Sequence, residues 1–221
     1  MTQCSKAYDL ALAHIREMEG YVPGDQPQDS GWVKLNTNEN PYPPSPMVAK
    51  AISVELKNLS LYPNPESMPL RNTIAERYDL KVDQIIVGNG SDDILNLLVR
   101  TFCGKNELAG TIIPNYTLYP VLAGIQGGSF FTIPYNREFS LPIEIIAESD
   151  AHIFFLSSPN TPTGIAHTSK DISNLLERFS GILVVDEAYA DFAEETMVGL
   201  VKQSRNLVIT RSLSKSYSLA G

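Results

Sequence analysis

The stretch Ile182-Leu183-Val184-Val185-Asp186-Glu187-Ala188-Tyr189 decides the fold of this chain and also points to its chemistry. Its four leading apolar residues do not alternate with polar ones, which is typical of a strand buried on both faces of a parallel sheet. A carboxylate directly after such a strand is costly to bury unless it meets a cation or hydrogen-bond donors. The stretch therefore predicts an interior parallel strand that ends in a polar site.

The same arrangement recurs from residue 84 onward, where apolar runs alternate with stretches of helical spacing. Strands that alternate with helices predict βαβ units, which build a mostly parallel sheet with helices on both faces. The predicted fold class is therefore α/β, with three αβα layers. The predicted strands are Gln84–Val87, Leu108–Ile113, Ser129–Ile133, His152–Leu156, Ile182–Val185 and Leu207–Thr210, and the predicted helices lie near 91–102, 117–126, 142–148, 168–179 and 196–203.

The first third of the chain has a weaker pattern. Apolar spacing over residues 5–18 predicts a short amphipathic arm, and Trp32–Leu35 predicts a short strand. Helices are predicted over 47–57, where Pro46 suits a first turn, and over Ser67–Tyr78.

The composition narrows the class of protein. With 221 residues and 43% hydrophobic side chains, the chain is long and apolar enough to build a globular core. The net charge of −8 argues against nucleic acid or an anionic membrane as a partner. Cys4 and Cys103 provide neither a disulfide framework nor a CxxC motif, and no apolar run is long enough for a signal peptide or a membrane span. These features predict a cytoplasmic protein.

A functional site is expected at the carboxyl ends of the strands, where open α/β sheets bind their ligands. After the first predicted strand comes Gly88-Asn89-Gly90-Ser91-Asp92-Asp93, whose glycines and following helix N-terminus favour a phosphate group. Asp93 replaces the third glycine of a dinucleotide fingerprint, so a dinucleotide is disfavoured. The alternative is a plain strand–helix turn in which Ser91 is the N-cap.

Three further loops offer candidate side chains. Tyr116 follows the second strand and could stack on a planar ring, although packing is the alternative. Asn160 lies in a rigid Pro-rich loop that could aim its amide as a donor, with a structural turn as the alternative. Asp186 and Tyr189 are harder to explain as core residues. A transition metal has little support there, because the histidines (His14, His152 and His167) are scattered along the sequence.

The last predicted strand is followed by Ser212-Leu213-Ser214-Lys215. A lysine at this place can form an imine with an aldehyde cofactor, and the serines beside it can hold a phosphate. The alternative is a surface lysine in a Ser-rich loop. An imine-forming lysine, a strand-end carboxylate, a phosphate loop, a stacking tyrosine and an oriented asparagine together describe a pyridoxal-phosphate site without a metal.

The chain resembles the fold-type I, class II aminotransferases, and among them the histidinol-phosphate aminotransferases. The resemblance covers nearly the whole chain from about residue 20. The matching motifs are Asn38-Glu39-Asn40-Pro41, Gly88-Asn89-Gly90-Ser91-Asp92-Asp93, Pro159-Asn160-Thr161-Pro162-Thr163-Gly164, Val185-Asp186-Glu187-Ala188-Tyr189 and Ser212-Leu213-Ser214-Lys215, together with the stretches around Tyr21, Tyr62 and Tyr119.

The resemblance implies roles around the cofactor ring. Lys215 would form the imine with pyridoxal 5′-phosphate and then shuttle a proton during the reaction. Asp186 would pair with the pyridinium nitrogen, and Tyr116 would stack on the ring. Tyr189 and Asn160 would form hydrogen bonds with the ring oxygen O3′.

The resemblance also implies how the cofactor phosphate and the substrate are held. The residues expected around the phosphate are Gly90, Ser91, Asp92, Ser212 and Ser214. Tyr62 would reach the same phosphate from the neighbouring subunit of a homodimer. Tyr21 and Asn40 would contact the substrate.

The reaction implied is amino transfer between L-histidinol phosphate and 2-oxoglutarate, which gives imidazole-acetol phosphate and L-glutamate in L-histidine biosynthesis. Residues 1–40 would form an N-terminal arm with part of a small domain, and 41–221 an incomplete large cofactor-binding domain. The C-terminal small domain is expected to be absent. The alternatives are a threonine-phosphate decarboxylase, an aromatic aminotransferase, or a truncated chain without catalytic activity.

Overall fold

The sheet is the central layer of the structure, a computed structural model that describes residues 6–27, 29 and 31–221. Among these residues, five strands lie in the order β2-β1-β3-β4-β5, and every pairing is parallel. The chain order reverses between β1 and β3, which is where α/β sheets open a crevice for a ligand. The strands are β1 Leu108–Ile113, β2 Ser129–Pro134, β3 Ile153–Ser157, β4 Ile182–Asp186 and β5 Leu207–Thr210.

Helices connect the strands and cover the sheet. The stretch predicted as a helix near 196–203 is a 3-10 helix. The α-helices are α1 Lys6–Leu10, α2 Ala13–Glu17, α3 Pro46–Glu55, α4 Met68–Tyr78, α5 Gly90–Phe102, α6 Leu118–Ile125, α7 Ile143–Ala147 and α8 Ser169–Leu176, and the 3-10 helices are Leu56–Asn58, Val82–Gln84, Ala190–Phe192 and Met197–Lys202.

Two apolar cores lie on opposite faces of the sheet, because successive side chains of a strand point to opposite sides. In β3, Phe155 packs with α5 and α6, whereas Phe154 packs with α7 and α8. In β4, Val184 joins the first core, and Leu183 and Val185 join the second. The predicted three-layer α/β architecture is therefore confirmed.

Two predicted strands are wrong. Gln84–Val87 begins within the 3-10 helix Val82–Gln84 and then runs extended without pairing to any described strand, and Ile86 is 66% exposed. Trp32–Leu35 forms no regular element in the described part of the chain, and its apolar side chains are largely exposed. Both stretches have strand-forming residues, but a strand also needs a neighbour that accepts its hydrogen bonds.

The predicted N-terminal arm consists of α1 and α2 rather than one helix over 5–18, and residue 5 lies outside the described residues. The arm contacts the body of the protein through α2, where the His14 ring nitrogen Nε2 lies 3.2 Å from the carbonyl oxygen of Ile125. The division into 1–40 and 41–221 stays a prediction.

A tight packing contact in the sheet can be tested at Gly110 of β1. A Cβ atom there would lie 2.3 Å from Phe131 Cε1 and 2.9 Å from Phe154 Cδ2. We therefore expect Gly110→Ala to lower the free energy of unfolding by about 1–3 kcal/mol, measured by urea denaturation.

The matched control is Gly124→Ala in α6, where the new Cβ would meet only Met18 Cε, at 3.5 Å. Alanine favours the helix, so this control should be neutral or more stable by up to about 1 kcal/mol. Equal losses in the two variants would contradict the packing explanation.

Candidate active site

Asp186, the last residue of β4, forms the floor of the site. Its side chain is buried, with 4% of the residue exposed. The Tyr119 hydroxyl donates a hydrogen bond to Oδ2 at 2.8 Å. Oδ1 accepts hydrogen bonds from the Thr210 hydroxyl at 3.0 Å and from the Ala188 backbone N–H at 3.2 Å. These donors hold the carboxylate in one orientation at the carboxyl edge of the sheet.

The electrostatics of Asp186 favour a cationic partner. Burial raises the pKa of its carboxyl, and the hydrogen bonds from Tyr119 and Thr210 partly oppose this effect. The nearby Asp92 carboxylate also raises the pKa of Asp186. Because no cation of the described residues is paired with Asp186, a positively charged ligand group would gain a strong interaction here.

An aromatic column rises from the sheet beside Asp186. Tyr119 stacks on Phe155 of β3, with ring centroids 4.8 Å apart and planes at 13°. Tyr116 meets Tyr119 edge to face at 5.6 Å, and Tyr21 meets Tyr116 in the same manner at 6.1 Å. The predicted site residues Tyr21 and Tyr116 are therefore in contact.

The phosphate-type loop lies at the N-terminus of α5. Gly90 has a φ of +77°, a left-handed conformation that strains other residues. Its N–H bonds to the Gly88 carbonyl, so Ser91 and Asp92 hold the first-turn N–H groups without an intrahelical acceptor. The N-cap is Asn89 rather than Ser91; the Asn89 side chain makes no capping hydrogen bond, but its backbone N–H donates to Asp93 Oδ2 at 3.0 Å.

The same loop joins the aromatic column. The Tyr116 hydroxyl lies 3.3 Å from both carboxylate oxygens of Asp92. Burial, and then the charge of Asp92, raise the pKa of the Tyr116 hydroxyl well above its usual value. Tyr116 is therefore a neutral donor, and it connects the first turn of α5 to the segment that follows β1.

The orientation of Asn160 differs from the prediction. Its side chain does not point outward as a free donor, because its amide donates to the Pro114 carbonyl at 3.2 Å and to the Ser157 hydroxyl at 3.1 Å. Its oxygen accepts from the Thr163 N–H and hydroxyl. Asn160 is 2% exposed and holds its own loop against the end of β1.

Lys215 lies in the turn after β5. Its Nζ donates to the Thr37 carbonyl at 2.9 Å and lies 5.6 Å from the centroid of the Tyr189 ring. The Tyr189 hydroxyl accepts a hydrogen bond from the Asn38 amide at 2.9 Å. The lysine, Tyr189 and the 36–40 loop therefore lie together at this edge of the sheet.

The other predicted residues have varied surroundings. Asn40 donates its amide to the Lys215 carbonyl at 3.0 Å, so its side chain supports the lysine turn. The Ser212 hydroxyl accepts from the Ser214 N–H at 3.1 Å within that turn. Tyr62 is fully exposed and makes no ring contact with another described residue.

Sequence reasoning missed several residues that shape the site. Tyr119 and Thr210 hold Asp186, and Asn115 donates to Thr111 at 2.8 Å while accepting from Ser157 and from the Tyr116 N–H.

Metal ligands and membrane-spanning helices are the next features to consider. In the part of the chain that the structure describes, no group of three or more His, Cys, Asp or Glu residues could hold a metal ion. No described helix has the length and apolar character needed to cross a membrane.

The comparisons with known proteins identify the family and the fold. Residues 30–221 match the family described as "Aminotransferase class I and II", and the chain belongs to that family. It is 46% identical over 214 residues to histidinol-phosphate aminotransferase of Geobacter sulfurreducens; the match covers 95% of this chain and 61% of the relative.

Solved structures share the fold. Histidinol-phosphate aminotransferase of Sinorhizobium meliloti, in complex with pyridoxal-5′-phosphate, matches with a TM-score of 0.77 and 24% identity, over 84% of this chain and 52% of that one. L-threonine-O-3-phosphate decarboxylase of Porphyromonas gingivalis matches with a TM-score of 0.68 and 23% identity, over 78% and 52%. The chain therefore spans about three fifths of the length of the curated relative and about half of these structures.

The hydrogen bond from Tyr119 to Asp186 predicts a pH-dependent loss of stability in Tyr119→Phe. The substitution leaves a buried carboxylate oxygen without its donor, which costs about 1–3 kcal/mol. It also raises the folded-state pKa of Asp186 further above the usual 3.8, because the lost hydrogen bond had lowered that pKa. A folded pKa above the unfolded one means that stability is lost as the pH rises from 3.8 through the folded pKa.

We therefore expect the difference in unfolding free energy between wild type and Tyr119→Phe to grow with rising pH across this window. Chemical denaturation at a series of pH values measures it. Tyr135→Phe is the control, because the hydroxyl of the partly buried Tyr135 bonds to His167 rather than to a carboxylate. The same pH dependence in both variants would refute the role given to Tyr119.

Proposed function

We propose that the chain binds pyridoxal 5′-phosphate and forms the cofactor-binding part of a histidinol-phosphate aminotransferase. The observation that carries the proposal is the buried Asp186 carboxylate, fixed by Tyr119 and Thr210 at the carboxyl edge of the sheet. A carboxylate held in this way suits a protonated ring nitrogen. Other residues with matching chemistry surround it.

The residues present fit this cofactor. The first-turn N–H groups of Ser91 and Asp92 would bind the phosphate at the N-terminus of α5. The Tyr116 ring would stack on the pyridine ring, and Tyr189 would donate to its O3′ oxygen. When bound, the cofactor supplies an electron sink that stabilises negative charge at the substrate Cα.

The chain's own residues have distinct tasks. Asp186 holds the ring nitrogen protonated, because its buried negative charge favours a neighbouring cation. The amine of Lys215 attaches the cofactor and then moves a proton as general base and acid. The Thr37 carbonyl and the Tyr189 ring orient this amine.

The role that we propose for Asn160 is structural. Since its amide donates to the Pro114 carbonyl and to the Ser157 hydroxyl, Asn160 would position the loop beside the ring rather than bind O3′. Serines 212 and 214 would contribute to the phosphate site from the lysine turn, and Tyr21 would face the substrate beside Tyr116. Asn40 would act through the Lys215 backbone, which it holds.

The substrate assignment is supported by the relatives. The proposed reaction transfers the amino group of L-histidinol phosphate to 2-oxoglutarate, which gives imidazole-acetol phosphate and L-glutamate in the cytoplasm. Support comes from the 46% identity to the Geobacter sulfurreducens protein of that name. The similarity in fold to a threonine-phosphate decarboxylase is weaker, at 23% identity, and supports the alternative less.

A homodimer is part of the proposal. Tyr62 is fully exposed beside Leu59 and Leu61, which are 77% and 68% exposed, and α3 presents Met47 and Ile52 to solvent. A second copy of the chain would cover these apolar side chains, and Tyr62 would then reach the neighbouring phosphate site. A purely monomeric protein in analytical ultracentrifugation would contradict this part.

The reaction can be tested with the purified 221-residue chain and pyridoxal phosphate. We expect glutamate to form from L-histidinol phosphate and 2-oxoglutarate, measured in a coupled assay, and no carbon dioxide to form from O-phospho-L-threonine. Lys215→Ala should abolish the glutamate signal, because the cofactor then has no covalent attachment and no proton carrier.

Each alternative has its own signature in this assay. Carbon dioxide release without amino transfer would assign the chain to the decarboxylases. Glutamate formation from phenylalanine or tyrosine, but not from histidinol phosphate, would indicate an aromatic aminotransferase. Cofactor binding without turnover of any substrate would indicate a chain that is not catalytic alone.

A further inference from the structure

Arg211 organises the side of the β4–β5 edge that faces away from the candidate site. Because strand residues alternate between faces, Asp186 and Thr210 point toward α6 whereas Glu187 and Arg211 point to the opposite face. Arg211 Nη1 lies 3.5 Å from Glu187 Oε2, and the side chain of Glu187 is only 1% exposed. Glu187 also accepts hydrogen bonds from Thr196 and Met197.

A second carboxylate extends this cluster to the lysine turn. Arg211 Nη2 lies 2.6 Å from Asp191 Oδ1, and the Ser216 hydroxyl donates to Asp191 Oδ2. Asp191 belongs to the 3-10 helix Ala190–Phe192, directly after Tyr189. Its two oxygens therefore bind the two residues, Arg211 and Ser216, that flank the turn 212–215.

The guanidinium is fixed from a third direction. Its carbon Cζ lies 5.3 Å from the centroid of the Tyr78 ring, at the end of α4. The Arg211 side chain is 22% exposed, and the Asp191 side chain 31%. A planar guanidinium that forms ion pairs with two carboxylates and stacks on a ring has little rotational freedom, and lysine could not replace these contacts.

Few other side chains fix the turn. Within it, the Ser212 hydroxyl accepts from the Ser214 N–H, and the Leu219 N–H donates to the Leu213 carbonyl at 3.1 Å. From outside, Asn40 donates to the Lys215 carbonyl. The Asp191–Ser216 hydrogen bond therefore links the turn to the 3-10 helix that follows β4.

We propose that Asp191, held by Arg211 on one oxygen and by Ser216 on the other, is a positioning residue for Lys215. The Arg211–Asp191–Ser216 clamp fixes both flanks of the 212–215 turn relative to β4. Since β4 also ends in Asp186, the clamp sets the place of the lysine amine relative to the carboxylate that would hold the cofactor ring. This inference rests on the proposed function of Lys215.

The reason for such a clamp is geometric. The lysine side chain is long and flexible, so its amine finds a reacting carbon in proper orientation only when the backbone at its base is fixed. A displacement of about 1 Å can slow a reaction about a hundredfold. Attachment of the cofactor is sensitive to this geometry, because the amine must add to the aldehyde carbon before water leaves.

The test uses Ser216→Ala, which cuts the clamp without disturbing the Arg211 ion pairs. The full chain is mixed with pyridoxal phosphate, and attachment to Lys215 is followed over time by borohydride reduction and mass spectrometry. We expect attachment about tenfold slower than in wild type. Ser216→Thr keeps the hydroxyl and should restore the rate. Asp191→Asn weakens the ion pair with Arg211 and should also slow attachment.

Glu144→Gln is the matched control, because Glu144 also forms an ion pair, with Arg178, and neither of these residues contacts the clamp in the described part of the chain. Its attachment rate should equal that of wild type. Amide hydrogen exchange over 212–219, measured without the cofactor, should accelerate in Ser216→Ala and stay unchanged in Glu144→Gln.

Two results separate the claims. Unchanged attachment and unchanged exchange in Ser216→Ala would overturn the clamp, even if wild type attaches the cofactor normally. A wild-type chain that forms no reduced adduct on Lys215 would overturn the proposed function. Faster exchange in Ser216→Ala would then support only the claim that the clamp fixes the backbone of the turn. Slow attachment in Glu144→Gln as well would also count against the clamp.

Discussion

The hydrogen bonds that Tyr119 and Thr210 donate to the buried carboxylate of Asp186 are the constraint on which the site depends. A buried charge is tolerated only where donors satisfy it, and these two come from α6 and β5. Tyr119 is in turn fixed by stacking on Phe155. The position of Asp186 therefore requires that β3, β4, β5 and α6 are all in place, so the site and the core form together.

At the ends of β4 and β5, the side chains on the two faces of the sheet have different roles. One face carries Asp186 and Thr210, which would meet the cofactor ring. The other carries Glu187 and Arg211, which stabilise the 3-10 helix after β4 and the turn that holds Lys215. Burial raises the pKa of the Glu187 carboxyl, and Arg211 partly opposes this, so the ion pair offsets part of the cost of burial.

Much of the fold could be predicted from the sequence because a doubly buried strand has a simple signature. The runs Ile153–Leu156 and Ile182–Val185 are apolar throughout, and both are strands of the sheet. Gln84–Val87 has similar residues, but the structure gives it no strand partner among the described residues. The local composition indicates whether a segment can adopt the strand conformation, whereas its pairing depends on residues that are distant in the sequence.

The sequence predicted which residues lie at the candidate site better than it predicted which of them contact one another. Motifs brought Asp186, Tyr189 and Lys215 to one edge of the sheet because parallel strands end together. The bond between Tyr119 and Asp186 joins residues 67 positions apart and depends on helix packing, which spacing along the chain does not reveal. The inward orientation of Asn160 likewise depends on the carbonyl of Pro114, which follows β1 and is 46 positions away in the sequence.

The most direct test of the central claim is the protonation state of the bound cofactor's ring nitrogen. Pyridoxal phosphate labelled with ¹⁵N in the ring would be bound to the chain and observed by NMR at neutral pH. A nitrogen that is protonated in wild type and deprotonated in Asp186→Asn would support the role given to the carboxylate. The same ¹⁵N chemical shift in both proteins would show that Asp186 does not hold the ring proton, and would contradict the account.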